Sequence, residues 1–319
     1  MSRWTAADIP SLSGRRALVT GANSGLGLVT ALELARHGAD VLLAVRDTGR
    51  GAAAQEQIHA AVGPDAGAVE VVRLDLADLA SVRACADAVG AEPLHLLVNN
   101  AGVMAIPRRE TADGFEMQLG TNHLGHMALT LGLLPALVRA GSTSAPSRVV
   151  TVSSNAHKFG RIRLDDLMGR RRYQPWAAYG QSKLANLLFT FELQHRLDAA
   201  GLPVGAYAAH PGYAATNLQG VAPAMNGSTI GARLSDLGNR LLAQPAEMGA
   251  LPTLYVATEP GLPPASYAGP DGLLEQHGHP RLTSTTAAAR DTRMAAALWD
   301  ESEALIGMRL SDAVAQITA

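Results

Sequence analysis

The sequence predicts an α/β fold: a single domain with a doubly wound, mostly parallel sheet of about seven strands and helices on both faces. Three observations support this. Short β-branched apolar runs alternate with stretches of helical periodicity from residue 16 to residue 209. A glycine-rich turn stands between the first such run and the first helix. The 319 residues are 47% apolar and 17% charged, enough for one large core, and no repeat or linker marks a second domain.

Arg16–Thr20 reads as the first strand. It ends at Gly21-Ala-Asn-Ser-Gly-Leu-Gly27, and residues 28–37 then carry apolar side chains at helical spacing. The glycines let the backbone turn tightly and approach a pyrophosphate, whose charge the N–H groups at the helix start stabilise. The spacing is T-G-x-x-x-G-x-G. It differs from G-x-G-x-x-G, and also from a P-loop, since no G-K-[ST] follows. Gly38 stops the helix, and Asp40–Val45 reads as a second strand, apolar enough to be buried on both faces. The residue at its end should lie beside the adenosine ribose of a dinucleotide. An acidic residue there binds the 2′-hydroxyl of NAD, whereas an arginine accepts a 2′-phosphate. Arg46 follows Val45, which favours NADP(H) over NAD(H). The competing reading gives the ribose to Asp47 and leaves Arg46 a solvated loop residue.

Residues 48–62, 69–74 and 79–89 continue the alternation as helix, strand and helix. Asp75 closes the third strand, where it accepts from an adenine amino group or caps the next helix. The strand at 95–98 ends in Asn99-Asn-Ala-Gly102, two amides and a small pair suited to contacting a ligand, to tying neighbouring strands, or to both. Residues 111–140 read as one long helix holding Asn122, an amide that needs partners if buried. The strand at 148–152 delivers Ser153 and Ser154 at its carboxyl end, the side on which open α/β sheets bind ligands.

Residues 155–175 form a polar, Arg-rich connection. It is long for a compact domain and hence expected to be functional or partly ordered, with Arg170, Arg171 and Arg172 read as solvated. The helix bearing Tyr179 runs through Leu197. Val204–Ala209 is a sixth strand, ending in His210-Pro211-Gly212 with Thr216 shortly after. Residues 217–245, rich in Gly, Ala and Ser, read as a flap over a site or an ordinary loop. A helix at 248–257, a short strand within 266–272 and an amphipathic helix at 291–306 close the chain.

Tyr179 and Lys183 stand four residues apart, so a helix puts both on one face. The chain has six tyrosines and two lysines, Lys158 and Lys183, so chance would supply about 0.04 such pairs. A lysine beside a tyrosine favours the phenolate and makes the hydroxyl usable as acid or base near neutral pH. The bland alternative is an exposed helix pair worth a few tenths of a kcal/mol.

A formal net charge of −2 and a pI near 6.5 argue against a nucleic-acid partner or a polybasic membrane surface. Cys85 is the only cysteine, which suits a reducing cytoplasm and rules out a disulfide or a thiolate-rich metal site. The N-terminus has no apolar leader and the longest apolar run, 127–138, is too short to span a bilayer, so a cytoplasmic protein without a membrane span is expected. His277 and His279 are not spaced for a metal site with any other ligand set, and no metal is expected.

In order and spacing, TGANSGLG at 20–27, NNAG at 99–102, Asn122, the serine pair, YGQSK at 179–183 and HPG at 210–212 resemble the short-chain dehydrogenase/reductase family. The stretches VLLAVRD, TNHLGHMALT, RVVTVSSNAH and YGQSKLANLLF look like its retinol dehydrogenase branch, which includes many bacterial oxidoreductases. The resemblance covers residues 20–216. It implies a Rossmann fold and a catalytic tetrad of Asn122, Ser154, Tyr179 and Lys183.

In the direction of reduction, Tyr179 would protonate a carbonyl oxygen while NADPH delivers hydride to the carbon. Ser154, the second of its pair as in the family, would stabilise that oxygen. Lys183 would lower the pKa of Tyr179 and hold the nicotinamide ribose, and Asn122 would order a water linking Lys183 to bulk. Cofactor contacts implied in the same way are Gly21, Asn23, Ser24, Gly25, Leu26, Gly27, Arg46, Asp75, Leu76, Asn99, Ala101, Gly102, Tyr179, Lys183, Pro211, Gly212 and Thr216. The reaction implied interconverts an alcohol and a ketone or aldehyde, on a small to medium apolar substrate of retinoid, steroid or polyketide type.

Two features depart from the family pattern. The 25 positions from Ser154 to Tyr179 are more than usual, so 155–175 is an insertion. It lies near the helices that commonly form the dimer interface, and both monomer and homodimer remain open. The chain also carries a C-terminal extension, about 273–319, expected to shape the substrate pocket. Two other readings are a non-catalytic dinucleotide-binding sensor, which has no need of Tyr179 and Lys183, and a nucleotide-sugar epimerase or dehydratase, whose usual G-x-x-G-x-x-G turn differs from the spacing at Gly21.

Overall fold

The computed structural model describes residues 3–63, 66–213 and 244–318. Its strands are β1 (Arg16–Thr20), β2 (Asp40–Val45), β3 (Val69–Arg73), β4 (Leu96–Asn99), β5 (Ser147–Val152), β6 (Val204–Ala209), β7 (Tyr267–Pro270) and β8 (Pro280–Leu282). They form one sheet in the order β3-β2-β1-β4-β5-β6-β7-β8, parallel throughout except for the antiparallel β7–β8 pair. The strand order reverses between β1 and β4, which opens a crevice at their carboxyl ends.

The helices are α1 (Gly25–Arg36), α2 (Thr48–Ala61), α3 (Leu79–Gly90), the single turn α4 (Met117–Leu119), α5 (Gly125–Ala140), α6 (Pro175–Ala199), α7 (Ala246–Thr258), α8 (Thr292–Ile306) and α9 (Leu310–Thr318). Side chains alternate across each strand, so β1 sends Ala17 and Val19 to one core and Leu18 to the other. The first core is closed by α1, α2 and α7, the second by α3, α5, α6, α8 and α9. Strands covered on both faces have no polar face, which is why they read as unbroken apolar runs.

One expectation needs correction and two gain detail. The sheet of about seven strands counts eight: β8 is three residues long, begins with Pro280 and lies at the edge, where proline is tolerated. Residues 111–140 are not one helix. Gly114 adopts φ +81, Glu110 and Glu116 form an antiparallel bridge, and the Glu116 carboxylate caps the N–H groups of Gln118 and Leu119, so the helix begins only at Met117. A π-helical turn, Gly120–Leu124, then leads into α5.

The helical part of the C-terminal extension packs on α6 and on the π-helical turn before α5: Trp299 stacks on Phe189 with ring centroids 5.7 Å apart, and Ser302 bonds His123. The loop between β7 and β8 reaches the turn after β5 and the His210 turn.

The 155–175 connection is ordered, with 3-10 turns at Asn155–Phe159 and Leu164–Asp166. The Asp166 carboxylate accepts the backbone N–H groups of Arg170, Arg171 and Arg172. That organises the arginine run as an exposed capped turn. Thr216 and most of the expected flap, 217–243, lie outside the described residues.

Candidate active site

The carboxyl ends of β1, β4, β5 and β6 bring the sequence motifs to one edge of the sheet. At the end of β1, Gly21 adopts φ +67 and Gly25 φ +55, conformations in which a side chain is strained. A Cβ at Gly27 would stand 2.5 Å from the Gly21 carbonyl oxygen, so only glycine lets α1 start this close to the strand. Ser24 is the N-cap residue of α1 and does not cap it with its own side chain, which leaves the first N–H groups of the helix for a ligand.

Thr20 and Asn100 lock the turn to β4. The Thr20 hydroxyl accepts the N–H groups of Asn100 and Ala101 at 2.9 Å, and Asn100 Nδ2 donates to the Thr20 carbonyl at 2.8 Å. Asn99 donates to Thr130 at 3.0 Å, while its buried Oδ1 has no partner among the described residues. The strand-tying account of the NNAG stretch is met by Asn100.

At the end of β2, Arg46 is exposed and enters no ion pair among the described residues. Asp47, the competitor for the ribose, is the N-cap of α2, its Oδ1 accepting the Arg50 N–H at 3.1 Å. Asp75 at the end of β3 accepts the N–H of Ala77 at 3.0 Å, and Asp78 rather than Asp75 caps α3. A dinucleotide thus meets a glycine cradle, a free guanidinium and unpaired helix N–H groups, a set of donors that fits its phosphates.

The tetrad residues predicted from sequence come together on the other side. Tyr179 and Lys183 are both buried on α6, with Lys183 Nζ 5.8 Å from the centre of the Tyr179 ring. Lys183 donates to the Val152 carbonyl at 3.1 Å, and Ser153 bonds the Lys183 carbonyl at 2.8 Å, so the last turn of β5 fixes the lysine. Ser154 lies near enough to the Tyr179 phenol to oppose the effect of its burial, whereas the Ser153 hydroxyl is taken by the Lys183 carbonyl.

Asn122 sits in the π-helical turn. Its Oδ1 accepts the Val103 N–H at 2.8 Å, and its Nδ2 donates to the Val103 carbonyl and to Ser182, each at 2.9 Å. A Cβ on Gly102 would fall 3.0 Å from Asn122 Oδ1 and 3.6 Å from Lys183 Nζ, so glycine keeps the space between them open.

Burial dominates the electrostatics. It pushes the Tyr179 phenol up to about 12, against the opposing hydrogen bond from Ser154, and it pulls the Lys183 ammonium down to about 8. The expectation that Lys183 brings the phenol toward neutrality is not met in this geometry. Two groups removed from water together each lose solvation, and Tyr179 is held as a phenol, a proton donor, throughout the physiological range.

Several neighbours carry no sequence signal. Trp176 stands edge-on to Tyr179 with ring centroids 6.1 Å apart and is 50% exposed, forming an apolar wall one helical turn before the phenol. His126 links the Asn122 carbonyl at 3.1 Å to the Thr20 hydroxyl at 2.9 Å, joining the tetrad to the glycine turn. The i, i+4 spacing of Asn122 and His126 was the only available hint.

The short chain dehydrogenase family model matches residues 15–226. Relatives include mouse polyprenol dehydrogenase, 44% identical over 94% of this chain and 86% of that protein, and human retinol dehydrogenase 13, 42% identical over 93% and 86%. Among solved structures, an uncharacterized protein of Mycobacterium paratuberculosis superposes with TM-score 0.78 at 49% identity, covering 97% of this chain and 99% of that one. The NADP active-site complex of Pseudomonas aeruginosa RhlG superposes with TM-score 0.61 at 26% identity, covering 81% and 94%.

The chain belongs to the short-chain dehydrogenase/reductase family, in the branch of retinol dehydrogenase-like proteins. It is an oxidoreductase of a family that binds NAD(P), which sets aside the sensor reading.

Proposed function

We propose that this oxidoreductase reduces apolar aldehydes or ketones with NADPH, and runs the reverse alcohol oxidation, with Tyr179 as the general acid and base. The observation that carries the reading is the meeting of buried Tyr179 and Lys183 on one face of α6, with Lys183 held at the end of β5 and Asn122 across Gly102 from it. When bound, the dinucleotide supplies the hydride. Tyr179 donates its proton to the substrate oxygen, and the Ser154 hydroxyl stabilises the charge that gathers there. Lys183, held by the Val152 carbonyl, keeps positive charge beside the phenol below about pH 8 and stabilises the phenolate left when the proton is given up. The Asn122 turn holds the opposite wall and orders the water by which the lysine regains protons.

Arg46 supports NADP(H) over NAD(H), because its guanidinium is free while Asp47 is engaged as a cap. Half-exposed Trp176 beside Tyr179, and relatives named for retinol and polyprenol, support an apolar substrate. The lone, buried Cys85 supports a reducing cytoplasm as the place of action. The test is NADPH oxidation by the purified chain against aldehydes and ketones of rising chain length. Turnover that improves with chain length is expected; no turnover with any of them, or a preference for small polar carbonyls, would overturn the substrate reading.

A further inference from the structure

The loop between β7 and β8 carries one carboxylate that touches both sides of the proposed reaction centre. Glu275 lies 121 positions after Ser154 and 65 after His210. Its Oε2 accepts from Lys158 Nζ at 2.9 Å, and Lys158 lies in the 3-10 turn that begins directly after Ser154. The same oxygen faces Nε2 of His210 at 3.4 Å, an electrostatic contact rather than a well-aligned hydrogen bond. His210 is fully buried and begins the His-Pro-Gly turn. Its Nδ1 accepts the Gly212 N–H at 3.3 Å, which leaves Nε2 to carry the imidazole proton toward Glu275. The Thr283 hydroxyl completes the set by donating to the other oxygen, Oε1.

Backbone contacts repeat this bridging. Asn155 Nδ2 donates to the carbonyls of Leu274 and Glu275 at 3.5 and 3.3 Å, and the Gln276 carbonyl accepts the Tyr213 N–H at 2.8 Å. Gln244 donates to the Pro211 carbonyl at 2.7 Å and accepts the Gly278 N–H at 3.1 Å. Leu274 and Glu275 both sit in the left-handed region, at φ 52 and φ 57. Residues with side chains seldom adopt that conformation, and it persists where surrounding contacts hold it and where it serves a site. The carboxylate is 14% exposed, and the imidazole facing it, then Thr283 and Lys158, hold it well below the usual carboxylate range.

We propose that Glu275 is a positioning residue: it ties the turn after Ser154 to the His210-Pro211-Gly212 turn and so fixes the proton-donating side of the site against the dinucleotide side. It touches neither substrate nor cofactor. Its effect runs through the separation of two turns, a quantity to which reaction steps are sensitive at the scale of 1 Å. The inference rests on the function proposed above.

The experiment compares the full chain with Glu275→Gln, Lys158→Met, the double variant and Lys158→Arg. The measurements are kcat and KM with NADPH and an aliphatic aldehyde, NADPH affinity by fluorescence, thermal unfolding, and amide hydrogen exchange. Glu275→Gln and Lys158→Met are each expected to lower kcat about tenfold with little change in KM, and the double variant to be no worse than the poorer single one. Lys158→Arg should restore kcat to near the wild-type value. Exchange should rise in 155–160 and 210–213 together, with the melting temperature close to wild type.

An unchanged kcat in Glu275→Gln would overturn the proposal, as would a loss that tracks a general drop in melting temperature with exchange rising everywhere. If the wild-type chain reduces no carbonyl compound, the functional reading fails. The exchange data still decide whether Glu275 holds the two turns, and unchanged exchange in both would sink it.

Discussion

The two sides of the crevice are built from different materials. The dinucleotide side is largely backbone: a glycine turn at positive φ, free helix N–H groups and strand ends locked by Thr20 and Asn100. The carbonyl side is largely side chain, with Tyr179 and Lys183 buried on α6, Ser154 from β5, Asn122 from a π-helical turn, and a rim of Trp176 and distant loops. A backbone site tolerates almost no added atom but is indifferent to chemistry. A side-chain site depends on the identity and protonation of each group, at a cost in stability.

That contrast is broken most severely at Lys183. Lys183→Met should lower carbonyl reduction by roughly a hundredfold or more while making the protein more stable. The fall of the ammonium from 10.5 to about 8 on burial corresponds to roughly 3 kcal/mol of lost stability. At pH 7 the lysine is protonated both folded and unfolded, so the whole cost is present. As pH rises through about 8 the folded chain sheds the proton while the unfolded chain keeps it, and the cost is relieved by about 10.5. Wild-type stability should accordingly gain between those limits relative to Lys183→Met, measured by urea unfolding across pH. Reduction should fall through the same pH of about 8, as the positive charge beside Tyr179 is lost.

Gly27→Ala tests the backbone side. Its methyl would meet the Gly21 carbonyl at 2.5 Å. NADPH affinity should drop about tenfold or more, at least 1.4 kcal/mol, with kcat at saturating NADPH much less affected. A fall in kcat alone would contradict the division between the two sides. Arg46→Ala is expected to weaken NADPH by about tenfold while leaving NADH nearly unchanged, the loss of one charge-assisted contact. Equal losses for the two dinucleotides would remove Arg46 from the account. The smallest effect belongs to the rim: Trp176→Ala should raise KM for long apolar carbonyls by roughly threefold, under 1 kcal/mol, and leave short ones alone.

The same contrast explains what was legible in the sequence. Backbone sites need glycine at fixed offsets, so Gly21, Gly25 and Gly27 could be read with their strand and helix, and β1, β2 and β6 have the bounds their apolar runs predict. Tyr179 and Lys183 were legible because both lie on one helix. The start of α4 at Met117 was hidden because apolar spacing continues across Gly114, and what ends the helical reading is a cap by Glu116, a residue that also suits a helix interior. Strand β8 is too short to show a period. The role of His126, and the junction of Glu275 with Lys158 and His210, depend on contacts between residues far apart in the chain, which periodicity does not report. The direction of the Tyr179 shift was also hidden, because it follows from burial and not from spacing.

The most direct test mixes enzyme preloaded with NADPH and a saturating apolar aldehyde at pH 7, and follows a single turnover of NADPH absorbance in the wild-type chain and in Tyr179→Phe. The account predicts equal NADPH affinity in the two proteins and a hydride-transfer step at least about a hundredfold slower in the variant. Equal single-turnover rates would show that the proton comes from elsewhere and would contradict the assignment of Tyr179.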